Sequence, residues 1–186
     1  MLITIVILAS ILIFWIIISF NRIIKQKNLV KEAWSGIDVQ LKRRYNLVPN
    51  LVETVRAYTK YEGTTLEEIT RIRQKCIDAS NVKDQSDAEV MLSAGFKQFF
   101  ALVEAYPDLK ANEQFINLQK NLIEIEDSIQ YARRYYNGTV RDFNILTESF
   151  PSNLTAMIFG YKSMDYFEIT LSVERENVEA DVRSGK

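Results

Sequence analysis

From Leu2 to Phe20 the chain carries no charged side chain, and its polar residues there are only Thr4, Ser10 and Ser19. Nineteen residues at about 1.5 Å each make a helix of roughly 28 Å, close to the thickness of a hydrocarbon core. A cleaved signal peptide fits less well, because no basic stretch precedes the run and no small-x-small cleavage site follows it. Residues 2–20 are therefore expected to cross a lipid bilayer once. Arg22, Lys25, Lys27 and Lys31 stand directly after the span, and only the α-amino group stands before it. Positive residues stay on the cytoplasmic side, so the reading is N-terminus outside and body cytoplasmic.

The body announces itself at once as helical. Between Asn28 and Tyr61, Val30, Trp34, Ile37, Leu41, Val48, Leu51, Val52 and Val55 recur mostly in steps of three and four, with Tyr45 filling the gap between Leu41 and Val48. That spacing lays side chains along one stripe of a helix. Pro49 interrupts the hydrogen-bond ladder, but the stripe keeps its phase across it, so a kink is expected rather than a break. The helix is expected to close at Glu62–Gly63, where glycine can adopt a left-handed conformation. Thr65 with Glu68 then reads as a capping box opening a second helix through about Asp78.

A polar stretch, Ala79–Asp87, follows. Ser86 with Glu89 reads as another capping box, and the stripe resumes at Leu92, Phe96, Phe99 and Leu102 until Pro107. The interruption is read as a local excursion in one long arm. From Glu113 to Ser149, Phe115, Leu118, Leu122, Ile125, Ile129, Ala132, Tyr136, Val140, Phe143 and Ile145–Leu146 form a seam of coiled-coil quality. Pro151 ends it. The aromatic and methionine-rich residues 150–167 suit a brief helix and a docked loop, and 170–186 read as a charged flexible tail.

The resulting fold class is all-α: an N-terminal transmembrane helix continuing into an antiparallel up-down helical bundle. It has three long helices plus a short C-terminal helix and is four-helix-bundle-like. Its parts are an anchor at 1–21, a cytoplasmic bundle at 22–169 and the tail at 170–186. If three arms leave, return to and leave the membrane again, Phe150 lies at the far end, on the order of 50 Å from the bilayer. The apolar residues after it would then cap the bundle or touch another subunit.

Chemistry finds few ingredients. Histidine is absent, which removes the commonest general base and metal ligand. A di-iron bundle needs Glu-x-x-His pairs, and a zinc site needs more than the single Cys76. The glycines at 36, 63, 95, 138, 160 and 185 never cluster into a phosphate loop or a dinucleotide fingerprint. Ser35, Ser149 and Ser152 lack a nucleophile elbow. Glu124, Glu126 and Asp127 read as a solvated helix face, and the basic run Lys42–Arg44 as a hydrated surface rather than a phosphate-binding patch. With a net charge of −1, no nucleic acid partner is expected. Cys76 reads as a small core residue. Gly95 and Gly138, inside helices, read as points of close helix approach. The sequons at 137–139 and 153–155 would matter only if the body were exported. No catalytic, cofactor-binding or metal-binding residue is proposed from these patterns, and no cofactor.

Three segments carry a resemblance to a known family: Glu32–Val55, EAWSGIDVQLKRRYNLVPNLVETV; Phe100–Asn117, FALVEAYPDLKANEQFIN; and Tyr131–Phe159, YARRYYNGTVRDFNILTESFPSNLTAMIF. With the apolar N-terminus they resemble LemA family proteins over nearly the whole chain. The resemblance implies a single-pass membrane protein with a soluble antiparallel helical bundle and offers no catalytic residue to carry over. Association of some members with magnetosome membranes implies a part in membrane organisation. The functional expectation is a membrane-anchored, non-catalytic helical scaffold that self-assembles at the membrane, with the bilayer as partner through residues 2–20. The alternative is an adaptor or signalling protein that presents a helical surface to another membrane protein.

Overall fold

The computed structural model describes residues 1–59 and 63–168, so the tail assigned to 170–186 and the closure placed at Glu62 lie outside the described residues. The described elements are helices: α1 (Leu2–Arg56), α2 (Gly63–Asp78), α3 (Val82–Val103), α4 (Pro107–Lys110), α5 (Glu113–Glu148) and α6 (Ser152–Ile158). No strand occurs among the described residues. α1 is one helix of 55 residues that runs through Pro49 and ends at Arg56, earlier than the glycine signal implied. Gly63 opens α2 instead of closing α1. The N-terminal part of α1 is long and apolar enough to cross a membrane, and nearly all of it lies outside the core.

α1 and α5 share the most extensive interface in the molecule. They run antiparallel, as their partners show: Tyr58 meets Asn112, Arg44 meets Glu126, Trp34 meets Tyr136 and Gln26 meets the carbonyl of Thr139. Residue numbers rise on one helix as they fall on the other. The buried seam of α5 comprises Phe115, Leu122, Ile125, Ile129, Tyr136, Val140 and Phe143, while Ile145, assigned to it by periodicity, is 51% exposed.

The polar stretch after Asp78 reverses the chain. Asn81 is extended (φ −138°, ψ 167°), and its side-chain oxygen accepts the Asp84 amide at 2.9 Å, which satisfies one of the orphan donors at the start of a helix. This cap opens α3 five residues before Ser86, so Ser86 and Glu89 are buried helix-interior residues rather than a capping box. α2 and α3 pack on each other as a hairpin over the distal half of α1. The single long arm is therefore two helices, and every later element has the opposite direction to the one expected. α5 travels toward the apolar end of α1, and Phe150 arrives beside Trp15 and Ser19. It is not at the far end.

The half of the α1–α5 groove nearer the apolar end of α1 is covered by residues 161–168, which turn back along α5. Two asparagines clasp this segment. Asn144 donates to the Met164 carbonyl at 3.0 Å and accepts from its amide at 2.8 Å; Asn137 does the same for Phe167 at 3.1 and 2.9 Å. Seven residues of helix rise about 10.5 Å and three residues of extended chain about 10 Å, so the two clasps match in spacing. Between them Tyr136 donates its hydroxyl to the Asp165 carbonyl at 3.0 Å. Phe167 is buried and packs tilted against Trp34, with ring centroids 5.9 Å apart.

The helix-interior glycines differ. A Cβ at Gly95 would touch Ile72 Cδ1 at 3.5 Å and Ile69 Cγ1 at 3.8 Å, which places Gly95 at the α2–α3 contact, whereas nothing lies within 4 Å at Gly138. Among the described residues Gly138 is thus no point of close approach.

Replacing Asn144 with Ala removes both hydrogen bonds to Met164. The expected result is a stability loss of about 1–3 kcal/mol and faster hydrogen exchange at the amides of Met164 and Phe167, with exchange at the α2–α3 hairpin unchanged. Unaltered exchange at Met164 would contradict the clasp.

Candidate functional site

The most polar feature of the interior sits where α1, α3 and α5 meet at mid-height. Arg44 and Glu89 are each 2% exposed. One Arg44 terminal nitrogen donates to Glu89, the other to Ser93 Oγ at 3.0 Å, and Nε lies 2.7 Å from Glu126 Oε1. The guanidinium also lies over the Phe96 ring, 5.1 Å from its centroid. Tyr45 donates its hydroxyl to the other Glu89 oxygen, and Gln85 Nε2 donates to the Tyr45 oxygen at 2.7 Å and to Glu89 at 3.2 Å. Arg73 reaches from α2 to the Tyr45 carbonyl at 2.7 Å.

The network divides the basic run. Lys42 and Arg43 are exposed as a hydrated face, Lys42 pairing with Asp38 at 2.6 Å, whereas Arg44 turns inward. Glu126 likewise leaves the solvated face assigned to it and is only partly exposed beside Arg44. The signal lay in the heptads. Ile37, Leu41, Arg44, Val48, Leu51 and Val55 step 4-3-4-3-4, and Gln85, Glu89, Leu92, Phe96, Phe99 and Val103 repeat that rhythm in α3. A charge on each seam, one of each sign, is the signature of a buried pair.

Burial governs the protonation states. It raises the Tyr45 hydroxyl far above its ordinary range, reinforced by the Glu89 charge, so Tyr45 remains a donor. It raises Glu126 against the pull of Arg44, and it lowers the half-buried Arg133 against Glu89 and Glu126. Cys76, buried beside this layer, is pushed up to about 12 by desolvation first and the Glu89 charge second.

Chemically, the arrangement is an internal circuit. Both oxygens of Glu89 are engaged, Tyr45 is held as a donor, and both terminal nitrogens of Arg44 donate inside the protein, while its Nε meets Glu126 Oε1 as an ion pair without hydrogen-bond alignment. Above it, between α3 and α5, lies an open cleft of about 300 Å³ walled by Phe96, Phe100, Leu122 and Ile123. Among the described residues no three Cys, Asp or Glu side chains gather as metal ligands. The circuit's physical effect is on register: a buried ion pair stabilises little in net terms, but leaving either partner alone is costly.

Two outcomes test this. Glu89→Ala leaves Arg44 buried with one of its two carboxylate partners and should cost about 3–5 kcal/mol, and Arg44→Met in the same chain should recover part of that loss, both read by denaturation in detergent. For Cys76 the folded value of about 12 exceeds the ordinary 9.0, so its contribution to stability is whole below pH 9 and is lost as pH rises toward 12. The native protein should therefore resist alkylation at pH 8 and react on unfolding. Rapid alkylation of the native protein would contradict that burial.

Comparison with known proteins places these features in context. The model of the LemA family matches residues 33–181. The chain is 26% identical over 163 residues to Protein LemA of Metamycoplasma hominis, covering 86% of this chain and 73% of that protein. It is 23% identical over 179 residues to Magnetosome protein MamQ 2 of Paramagnetospirillum magneticum, and 21% identical over 178 residues to Magnetosome protein MamQ of Magnetospirillum gryphiswaldense. Both alignments cover 82% of this chain, and they cover 66% and 65% of the two magnetosome proteins, so the chain spans just under two thirds of their length.

Proposed function

The chain belongs to the LemA family, and on that premise we propose that it is a single-pass membrane protein that holds a stiff helical bundle against the cytoplasmic face of a bilayer as a non-catalytic, self-associating scaffold. One observation carries this reading. α1 passes without interruption from its exposed apolar stretch into the buried seam of the bundle, with Ile23, Val30, Ile37 and Leu41 already in the core. No linker intervenes between anchor and body. Enzymes and sensors on flexible tethers gain reach from such linkers; a rigid junction suits a part that sets spacing and orientation.

Self-association is supported by the outer face of α5. Ile116, Ile123, Tyr131 and Tyr135 are 49%, 56%, 68% and 53% exposed, a row of apolar side chains on the outer surface of α5 interspersed with exposed Lys120 and Asp127. The magnetosome names of two relatives accord with membrane organisation. The orientation rests on Arg22, Lys25, Lys27 and Lys31 following the span. The same exposed stripe also accommodates the adaptor reading, in which a different membrane protein occupies it.

Molar mass of the full-length protein in mild detergent tests the scaffold: a multiple of 21.6 kDa is expected at micromolar concentration, and a strict monomer would overturn it. Photo-crosslinking from Tyr131 separates the readings, since self-adducts support the scaffold and a single foreign adduct supports the adaptor. Protease added outside intact cells should leave the bundle uncut.

A further inference from the structure

Residues 149–161 carry no charged side chain, although Glu148 and Lys162 flank them closely. The fold brings this uncharged segment to the end of the bundle where α1 enters its apolar run. Phe159 packs on Phe20 with ring centroids 4.5 Å apart, and Phe150 lines a cleft of about 310 Å³ together with Trp15 and Ser19. Phe150 is therefore level with residues inside the stretch read as a membrane span.

α6 is built inside out. Thr155 and Ala156 are buried against α5 and α1, while Leu154, Met157 and Ile158, spaced i, i+3 and i+4, face away from the protein. Met157 is 75% and Ile158 69% exposed, and neighbouring Phe150 is 80% exposed. Single exposed apolar residues are ordinary, but a contiguous apolar face marks a surface that something apolar covers. Its occupant follows from continuity. The patch adjoins the exposed apolar surface of residues 2–18, and exposed Arg22 and Lys25 stand one turn further along α1. A bilayer that receives the span meets this patch at the depth of its headgroup and acyl boundary.

We propose that α6, with Phe150 and Phe159, is a second membrane contact: a short helix lying in the plane of the bilayer surface, its apolar face in the lipid and Arg22 and Lys25 among anionic headgroup phosphates. The inference rests on the reading that residues 2–20 cross the bilayer. It converts a single peg into two points of attachment, which fix the rotation of α1 about its own axis.

The test uses full-length protein in vesicles of phosphatidylcholine and phosphatidylglycerol, with a nitroxide attached at Met157→Cys, at Leu8→Cys or at Glu113→Cys. Buried Cys76 stays unlabelled, which the unsubstituted protein verifies. Collisions with oxygen relative to a water-soluble nickel chelate should be several-fold higher at 8 and at 157 than at 113. If 157 behaves like 113 while 8 stays in hydrocarbon, the second contact is overturned and the anchor stands. If 8 and 157 both behave like 113, the anchor and the inference fall together. Exclusion of both reagents from 157, with dipolar broadening between labels, would show a second copy covering the patch and would also overturn the inference.

Discussion

The antiparallel contact between α1 and α5 is the constraint from which the rest of the structure follows. Neither helix can bury its stripe alone, and each has more apolar length than the other elements can cover. Two rods in contact still leave a groove along their seam, and two different covers close it. Over the distal half the α2–α3 hairpin supplies apolar side chains from helices. Over the half nearer the apolar end of α1 the described residues supply only the short α6 and an extended segment, the latter's backbone satisfied by Asn137, Asn144 and Tyr136. An extended segment laid on a helix has no ladder partner of its own. Side-chain amides, with a donor and an acceptor on one carbon, stand in for the missing neighbour.

The buried charges answer a different problem. A seam made only of Ile, Leu and Phe would accept a hairpin shifted by a turn, since one apolar side chain replaces another at little cost. Arg44 and Glu89 admit one register, because any slip strands a charge in the core. Gln85, Ser93 and Glu126 complete the shell around them. The network lies about halfway along the bundle, where it fixes the hairpin against α1 and α5 at once.

Much of this was legible in the residues themselves. Helical class, the apolar N-terminal helix, the start of α5 and the buried place of Cys76 follow from periodicity and caps. Direction did not. A phase of apolar residues survives a reversal as readily as a pause, so the stripe through α2 and α3 could not say whether residues 79–81 turned the chain. Two caps competed there, and Asn81, closer to the end of α2, prevailed over Ser86. That choice moved the C-terminal segment from one end of the molecule to the other. Arg44 was misplaced for a related reason: Tyr45, its neighbour, also fills the heptad gap, and a run of three basic residues looks like surface when scored by composition. Glu89 in the matching seam was the missing second half of the signal. Asn137 and Asn144 left a fainter trace, two poor helix formers spaced one heptad apart in a long helix.

The uninterrupted passage of α1 from apolar stretch to bundle makes the molecule a lever. Some 36 residues separate Phe20 from Arg56, roughly 54 Å of rigid shaft by helix rise. With residues 2–20 crossing a bilayer as proposed, a lean of about 20°, ordinary for a membrane helix, sweeps the tip sideways by roughly 18 Å. On that proposal, changes in bilayer thickness a few ångströms in size would become displacements of the outer hairpin comparable to the width of a neighbouring helix pair, with no joint in between to absorb them.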